Sequence, residues 1–101
     1  MSKNVIVRYR TRPDAADENA RLVEAVYAAL AEQQPADFRY TTYRLQDGVT
    51  FVHVAHHGDG ANPLPELPEF AEFQRELQSR CDEPPAPSQG TIVGSYSPGA
   101  S

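Results

Sequence analysis

Hydrophobic and polar positions alternate, then recur at helical spacing, then alternate again along this chain. Asn4-Val-Ile-Val-Arg-Tyr-Arg10 is short, β-branched and ended by an Arg12-Pro13 step, the pattern of a first strand. Leu22, Val23, Val26 and Leu30 then form an i, i+1, i+4, i+8 stripe, extended by Asn19 and Gln33. The stripe predicts an amphipathic helix over roughly 14–34, with Asp14 as N-cap and Pro35 as its stop. Two aromatic and β-branched runs, 38–46 and 49–57, flank Asp47-Gly48, a hairpin signal read as a two-residue type I′ turn with pairing outward from Gln46–Val49. Gly58 to Pro68 holds three prolines and two glycines and breaks regular structure. Phe70, Phe73, Leu77 and Cys81 share one face of a second helix from Pro68 to about Cys81, with Glu72–Arg75 and Glu76–Arg80 as exposed ion pairs. The run from Cys81 to Gly90 reads as a proline-rich connection, and Thr91-Ile-Val-Gly-Ser-Tyr96 as the last strand.

The order strand, helix, strand, strand, helix, strand is the α+β, ferredoxin-like βαββαβ pattern: a four-stranded antiparallel sheet with two helices on one face. It predicts a single domain over 1–101, with an ordered core of about 4–96 and a loose tail at 97–101. In the hairpin, cross-strand pairing puts Tyr43, Leu45, Val52 and Val54 on one face, read as the core side because it is the more apolar. The other face carries Phe38, Tyr40, Thr42, Arg44, Phe51, His53 and His57, expected to meet a partner subunit, a ligand or water. Exposed aromatics on that face form a patch monomers rarely show, and this predicts a homodimer through the sheets.

Composition narrows the function classes. A net charge of −5 on 101 residues argues against a nucleic-acid surface, which needs clustered Lys and Arg. Only Arg8, Arg10 and Arg12 cluster; they alternate along the first strand, and neutralisation by the acids opening the next helix is the expectation, with an anionic ligand as the alternative. One cysteine, Cys81, forbids an intrachain disulfide, and with no hydrophobic signal region this points to the cytoplasm. No apolar run approaches the ~18 residues needed to span a bilayer.

His53, His56 and His57 invite a metal reading, but His53 and His57 lie about 13 Å apart at ~3.3 Å per strand residue, and His56 points to the opposite face. No metal is expected. No nucleophile motif, phosphate loop or dinucleotide fingerprint is present, so no cofactor is implied.

The βαββαβ order, the hairpin Tyr43-Arg-Leu-Gln-Asp-Gly-Val-Thr-Phe-Val-His-Val54 and the run Asn62-Pro-Leu-Pro-Glu-Leu-Pro-Glu-Phe-Ala-Glu-Phe73 resemble dimeric α/β-barrel proteins related to the antibiotic biosynthesis monooxygenase superfamily, over residues 4–96. Haem-degrading relatives use an Asn, a Trp and a His on the second helix; this chain has no Trp and no His on its second helix, which argues against that activity. Quinone-forming relatives oxidise phenolic compounds with oxygen and neither metal nor flavin. The resemblance therefore implies a cofactor-independent monooxygenase-like protein acting on a small aromatic or phenolic compound. Its site would comprise His53 as general base with Tyr40, and Arg44, Arg8 and Phe51 as ligand-binding residues. A noncatalytic small-molecule-binding or accessory homodimer, and an isomerase- or decarboxylase-like acid–base enzyme using His53 and Tyr40, are the alternatives.

Overall fold

A computed structural model describes residues 3–58 and 62–98. Residues 59–61 of the proline- and glycine-rich connection, and 99–101 of the expected tail, lie outside the described residues. Strand β1 (Lys3–Thr11) leads through a 3-10 turn at Pro13–Ala15 into α1 (Ala16–Gln33). The hairpin β2 (Phe38–Arg44) and β3 (Thr50–His57) follows, then a 3-10 turn at Leu64–Glu66. Helices α2 (Pro68–Gln74) and α3 (Leu77–Arg80) and strand β4 (Cys81–Gly90) complete the fold. The four strands form one antiparallel sheet in the order β2-β3-β1-β4. This is the ferredoxin-like arrangement expected from the element order.

Helix α1 begins two residues later than expected. Asp14 lies inside the 3-10 turn, and Ala15 takes the N-cap position without a side-chain cap. The helix ends at Gln34, whose left-handed backbone (φ 48°) turns its N–H back to Leu30 O at 2.8 Å. Pro35 then forbids continuation. The apolar stripe does face the sheet: Ala16, Asn19, Val23, Val26 and Ala29 are buried.

The hairpin keeps the expected register, since Arg44 pairs with Phe51 and Phe38 with His57, the continuation of Gln46 opposite Val49. Its turn differs. Only Gly48 is left-handed (φ 79°), and the Gly48 N–H bonds Leu45 O at 2.9 Å, so the turn spans Leu45–Gly48 and is not type I′. Asp47 has another task. Its carboxylate accepts from the Val49 and Thr50 amides at 3.0 and 2.9 Å and from the Thr50 hydroxyl at 2.5 Å. These bonds, the hydroxyl's first, hold it at about 2, below the usual carboxylate range.

The two sheet faces are the reverse of the expected ones. Phe51, His53 and Ala55 are buried against the helices, together with Tyr9, Phe73 and Leu77, while Tyr43 and Leu45 point outward and are exposed. A ring-on-ring column explains the choice. Phe51, Tyr9, His53, Phe73 and Phe70 stack or tilt against one another with centroids 5.3–6.4 Å apart. Burying that many large rings removes more apolar area from water than burying Tyr43, Leu45, Val52 and Val54 would. Of the patch that suggested a dimer, Phe51 is thus buried within the chain, and Phe38 and Tyr40 are partly buried against its core.

The second helix is interrupted. Arg75 leaves the helical region (ψ 123°) and Glu76 is left-handed (φ 64°), so α2 stops at Gln74 and a single turn, α3, follows. Arg80 fills the gap: its guanidinium donates to Phe73 O at 2.6 Å and Arg75 O at 3.3 Å, carbonyls the break leaves without helical partners. It is buried and does not pair with Glu76, contrary to the sequence expectation; Arg75 and Glu72 do pair, at 2.7 Å.

The last strand is also displaced. Cys81–Gly90, the supposed connection, pairs with β1, while Thr91–Tyr96 forms no strand. Three prolines are tolerated because β4 is an edge strand and needs ladder bonds on one side only. Pairing passes from Arg8–Ala86 to Arg10–Glu83, two residues against three, so Pro84 and Pro85 fall in a bulge.

Candidate functional site

Strand alternation brings Val5, Val7 and Tyr9 of β1 and His53 and Ala55 of β3 to the inner face of the sheet. With Tyr40, Phe70 and Phe73 they enclose a cavity of about 160 Å³ between the sheet and α2, also bordered by Asn62, Gln74 and Pro85. A larger hollow of about 490 Å³ lies on the outer face, bounded by Ile6, Arg39, Thr41, Val54, His56 and Ile92. The inner cavity is the better candidate, because hydrogen-bonding groups and a perturbed titratable side chain converge there.

Those groups form one chain. Arg80 Nε donates to Asn19 Oδ1 at 3.2 Å, and Asn19 Nδ2 donates to the Tyr9 hydroxyl at 2.9 Å. The Tyr9 hydroxyl is 2.7 Å from His53 Nε2. His53 Nδ1 lies 2.7 Å from the Tyr40 hydroxyl and 3.1 Å from Thr42 Oγ1, which in turn meets the Tyr27 hydroxyl at 2.9 Å. Each element contributes by its period: β1 and β3 by alternation, and α1 by placing Asn19 in line with Val23 and Val26. Each buried side-chain nitrogen and oxygen of the network has at least one partner, as buried polar groups need.

Burial sets the protonation states. His53 is pushed down to about 4, so the imidazole is neutral near pH 7. The Tyr9 phenol is driven well above its ordinary value by burial, although the Asn19 bond pulls the other way, and Tyr40 rises for the same principal reason. Both are neutral hydroxyls at physiological pH. The one permanent charge is Arg80. Among the described residues no carboxylate pairs with it; two carbonyls, the Asn19 oxygen and the Phe73 ring, 5.7 Å from its guanidinium carbon, surround it instead.

Of the residues singled out from sequence, Tyr40 and His53 are in hydrogen-bonding contact and both line the cavity. Phe51 is buried beneath Tyr9, with ring centroids 5.6 Å apart, and supports the site without lining it. Arg44 is elsewhere. It bonds Gly48 O at 2.8 Å and Asp17 at 3.0 Å, tying the hairpin turn to the start of α1. Arg8 points to the outer face, where β1 alternation puts even-numbered residues, and cannot reach His53 through the sheet. Its neighbours are partly neutralised, Arg12 by Asp14 at 3.5 Å as expected and Arg10 by Glu83 of β4 at 3.7 Å. His56 is likewise outward, against Asn4 at 2.6 Å.

Tyr9, Asn19 and Arg80 were missed. Asn19 carried a signal, a polar residue in register with an apolar stripe; Tyr9 shared parity with Val5 and Val7. Arg80 carried none, because helical spacing from Glu76 offered it a routine surface partner.

No family model matches the chain, and no curated protein sequence matches it significantly. Solved structures do. Rv0793 from Mycobacterium tuberculosis superposes with a TM-score of 0.74 at 20% identity, over 96% of this chain and 100% of that one. SnoaB, a cofactor-independent oxygenase from Streptomyces nogalater, gives 0.66 at 17%, over 93% and 95%. A structure described as an antibiotic biosynthesis monooxygenase gives 0.69 at 15%, over 93% and 100%. At these identities the likeness establishes architecture: the chain has the ferredoxin-like fold seen in antibiotic biosynthesis monooxygenase structures.

Proposed function

We propose that this protein is a cofactor-independent monooxygenase-like enzyme whose substrate is a phenol of about one ring. The observation that carries the reading is the inner cavity, apolar and aromatic in its walls, with the Tyr40–His53 pair at its edge. A volume near 160 Å³ is below the roughly 300 Å³ of a general ligand pocket and near the ~150 Å³ that accommodates benzene. A polycyclic substrate would require the cavity to open. The architecture shared with SnoaB supports the reaction class.

The stoichiometry needs no outside reductant. A phenol with a free para C–H and one O₂ give a para-quinone and one water; the substrate supplies four electrons, one oxygen atom entering the ring and the other leaving as water. Negative charge developing on the phenolic oxygen would be stabilised by the Tyr40 O–H in a dry site. His53, with both nitrogens engaged and a value of about 4, supports Tyr40 and is a weak proton store. Oxygen uptake and product chromatography across one-ring and multi-ring phenols test this, with ¹⁸O₂ expected to leave one label in the product. Uptake with no phenol at all overturns it.

The saturation of His53 favours one alternative, a noncatalytic small-molecule-binding protein. Calorimetric binding of phenols without oxygen uptake is its signature. For the assembly, we propose a homodimer through the outer sheet face, where Ile6, Tyr43 and Leu45 are exposed and Ile92 borders the same hollow as Ile6. Light scattering at micromolar concentration that gives only monomer overturns this.

A further inference from the structure

The buried hydrogen-bond chain has a direction, and Arg80 sets it. A guanidinium has donors and no acceptor, so the Asn19 atom facing Nε must be the carbonyl oxygen. The amide nitrogen of Asn19 therefore faces Tyr9 and donates to its oxygen. With that oxygen already accepting, the Tyr9 proton needs an acceptor of its own, and His53 Nε2 lies 2.7 Å away. A neutral imidazole whose Nε2 accepts carries its proton on Nδ1, which faces the oxygens of Tyr40 and Thr42. The opposite tautomer would aim two donors at the Tyr9 oxygen and strand the Tyr9 proton in a buried site, an arrangement folded interiors avoid.

We propose that Arg80 is a positioning residue which, through Asn19 and Tyr9, holds His53 in its Nδ1–H tautomer. His53 then donates to Tyr40, and the Tyr40 proton is turned away from the imidazole, free for Thr42 or for an oxygen of a ligand in the cavity. Arg80 touches no ligand; it determines which group presents a donor. The consequence for turnover rests on the phenol-oxygenase reading, whereas the tautomer does not.

The test is long-range ¹H–¹⁵N NMR on protein labelled with ¹⁵N-histidine, with no substrate present and the His53 signals assigned by their loss in His53→Gln. In the unsubstituted protein at neutral pH, Nδ1 is expected to be protonated and Nε2 bare. Asn19→Asp is the decisive variant. A carboxylate accepts from Arg80 and from the Tyr9 O–H alike, so the Tyr9 oxygen becomes an acceptor for His53 and the proton moves to Nε2. Should Asn19→Asp fail to fold, Arg80→Lys, still a donor only, keeps the Nδ1–H form, while Arg80→Gln, able to donate or accept, yields both tautomers. An Nε2–H His53 in the unsubstituted protein overturns the proposal. So does an unchanged tautomer in folded Asn19→Asp or Arg80→Gln. A protein that consumes no oxygen with any phenol but shows the predicted switch loses the oxygenase reading and keeps the positioning role.

Discussion

The two faces of the sheet are built on opposite logics. The inner face holds hydroxyls and an imidazole, met by an amide from α1, yet it is the buried one, because among the described residues every buried side-chain polar atom has a partner and the rings beneath them bring large apolar area. Within the hairpin the outer face, with Tyr43, Leu45, Val52 and Val54, is the more aliphatic one, yet it is not covered, and β1 adds Arg8 and Arg10 to it. The polarity of the hairpin alone is therefore a poor guide to which side of the sheet is covered; ring volume and the faces of the neighbouring strand β1 and of the helices decide.

That contrast is open to attack by substitution. Phe51→Ala, which removes the ring under Tyr9, is expected to cost about 3–5 kcal/mol in chemical denaturation. A loss under about 1 kcal/mol would mean that the inner face is not the core.

Acid titration probes the same face. His53 is held at about 4 in the folded chain against 6.5 when unfolded, so between those values the unfolded state binds a proton that the folded state refuses. Stability from this group is full above pH 6.5 and falls as pH drops to 4, by about 3 kcal/mol at about 1.4 kcal/mol per unit. Denaturation of the protein and of His53→Gln across that range should show the two converging by this amount toward low pH.

Arg80→Met strips donors from the Asn19 oxygen and from two carbonyls and is expected to cost about 2–3 kcal/mol. Its thermal unfolding midpoint should fall accordingly. Smallest is Tyr43→Ser on the outer face, expected to change subunit stability by less than about 0.5 kcal/mol while weakening self-association. Light scattering and denaturation on that one variant separate the two effects.

Much of the architecture was legible because β1, α1 and the hairpin obey their periods. Val5, Val7 and Tyr9 alternate, Asn19, Val23 and Val26 recur at helical spacing, and the hairpin register follows from Gln46 opposite Val49. The last strand was not legible. Pro84, Pro85 and Pro87 mark a connection by every local rule, and Thr91–Tyr96 carries the β-branched and aromatic residues of a strand. Position decides instead, since β1 offers its free side to whatever leaves Arg80. The Tyr40–His53 contact followed from strand parity. The Arg80 end depended on a left-handed Glu76 between two helices, a conformation with no glycine to announce it.

The edge position of β4 has a consequence for how copies of this protein can meet. Its three prolines lack N–H groups, and a bulge bends its course, so that side of the sheet is a poor template for another strand. The opposite edge, β2, carries no proline. Edge to edge, a sheet with one receptive side can be extended by another copy only β2 to β2, in a closed two-fold pair that leaves packing of the faces unaffected. Open-ended fibrous growth needs a receptive edge on both sides, and here the chain supplies one.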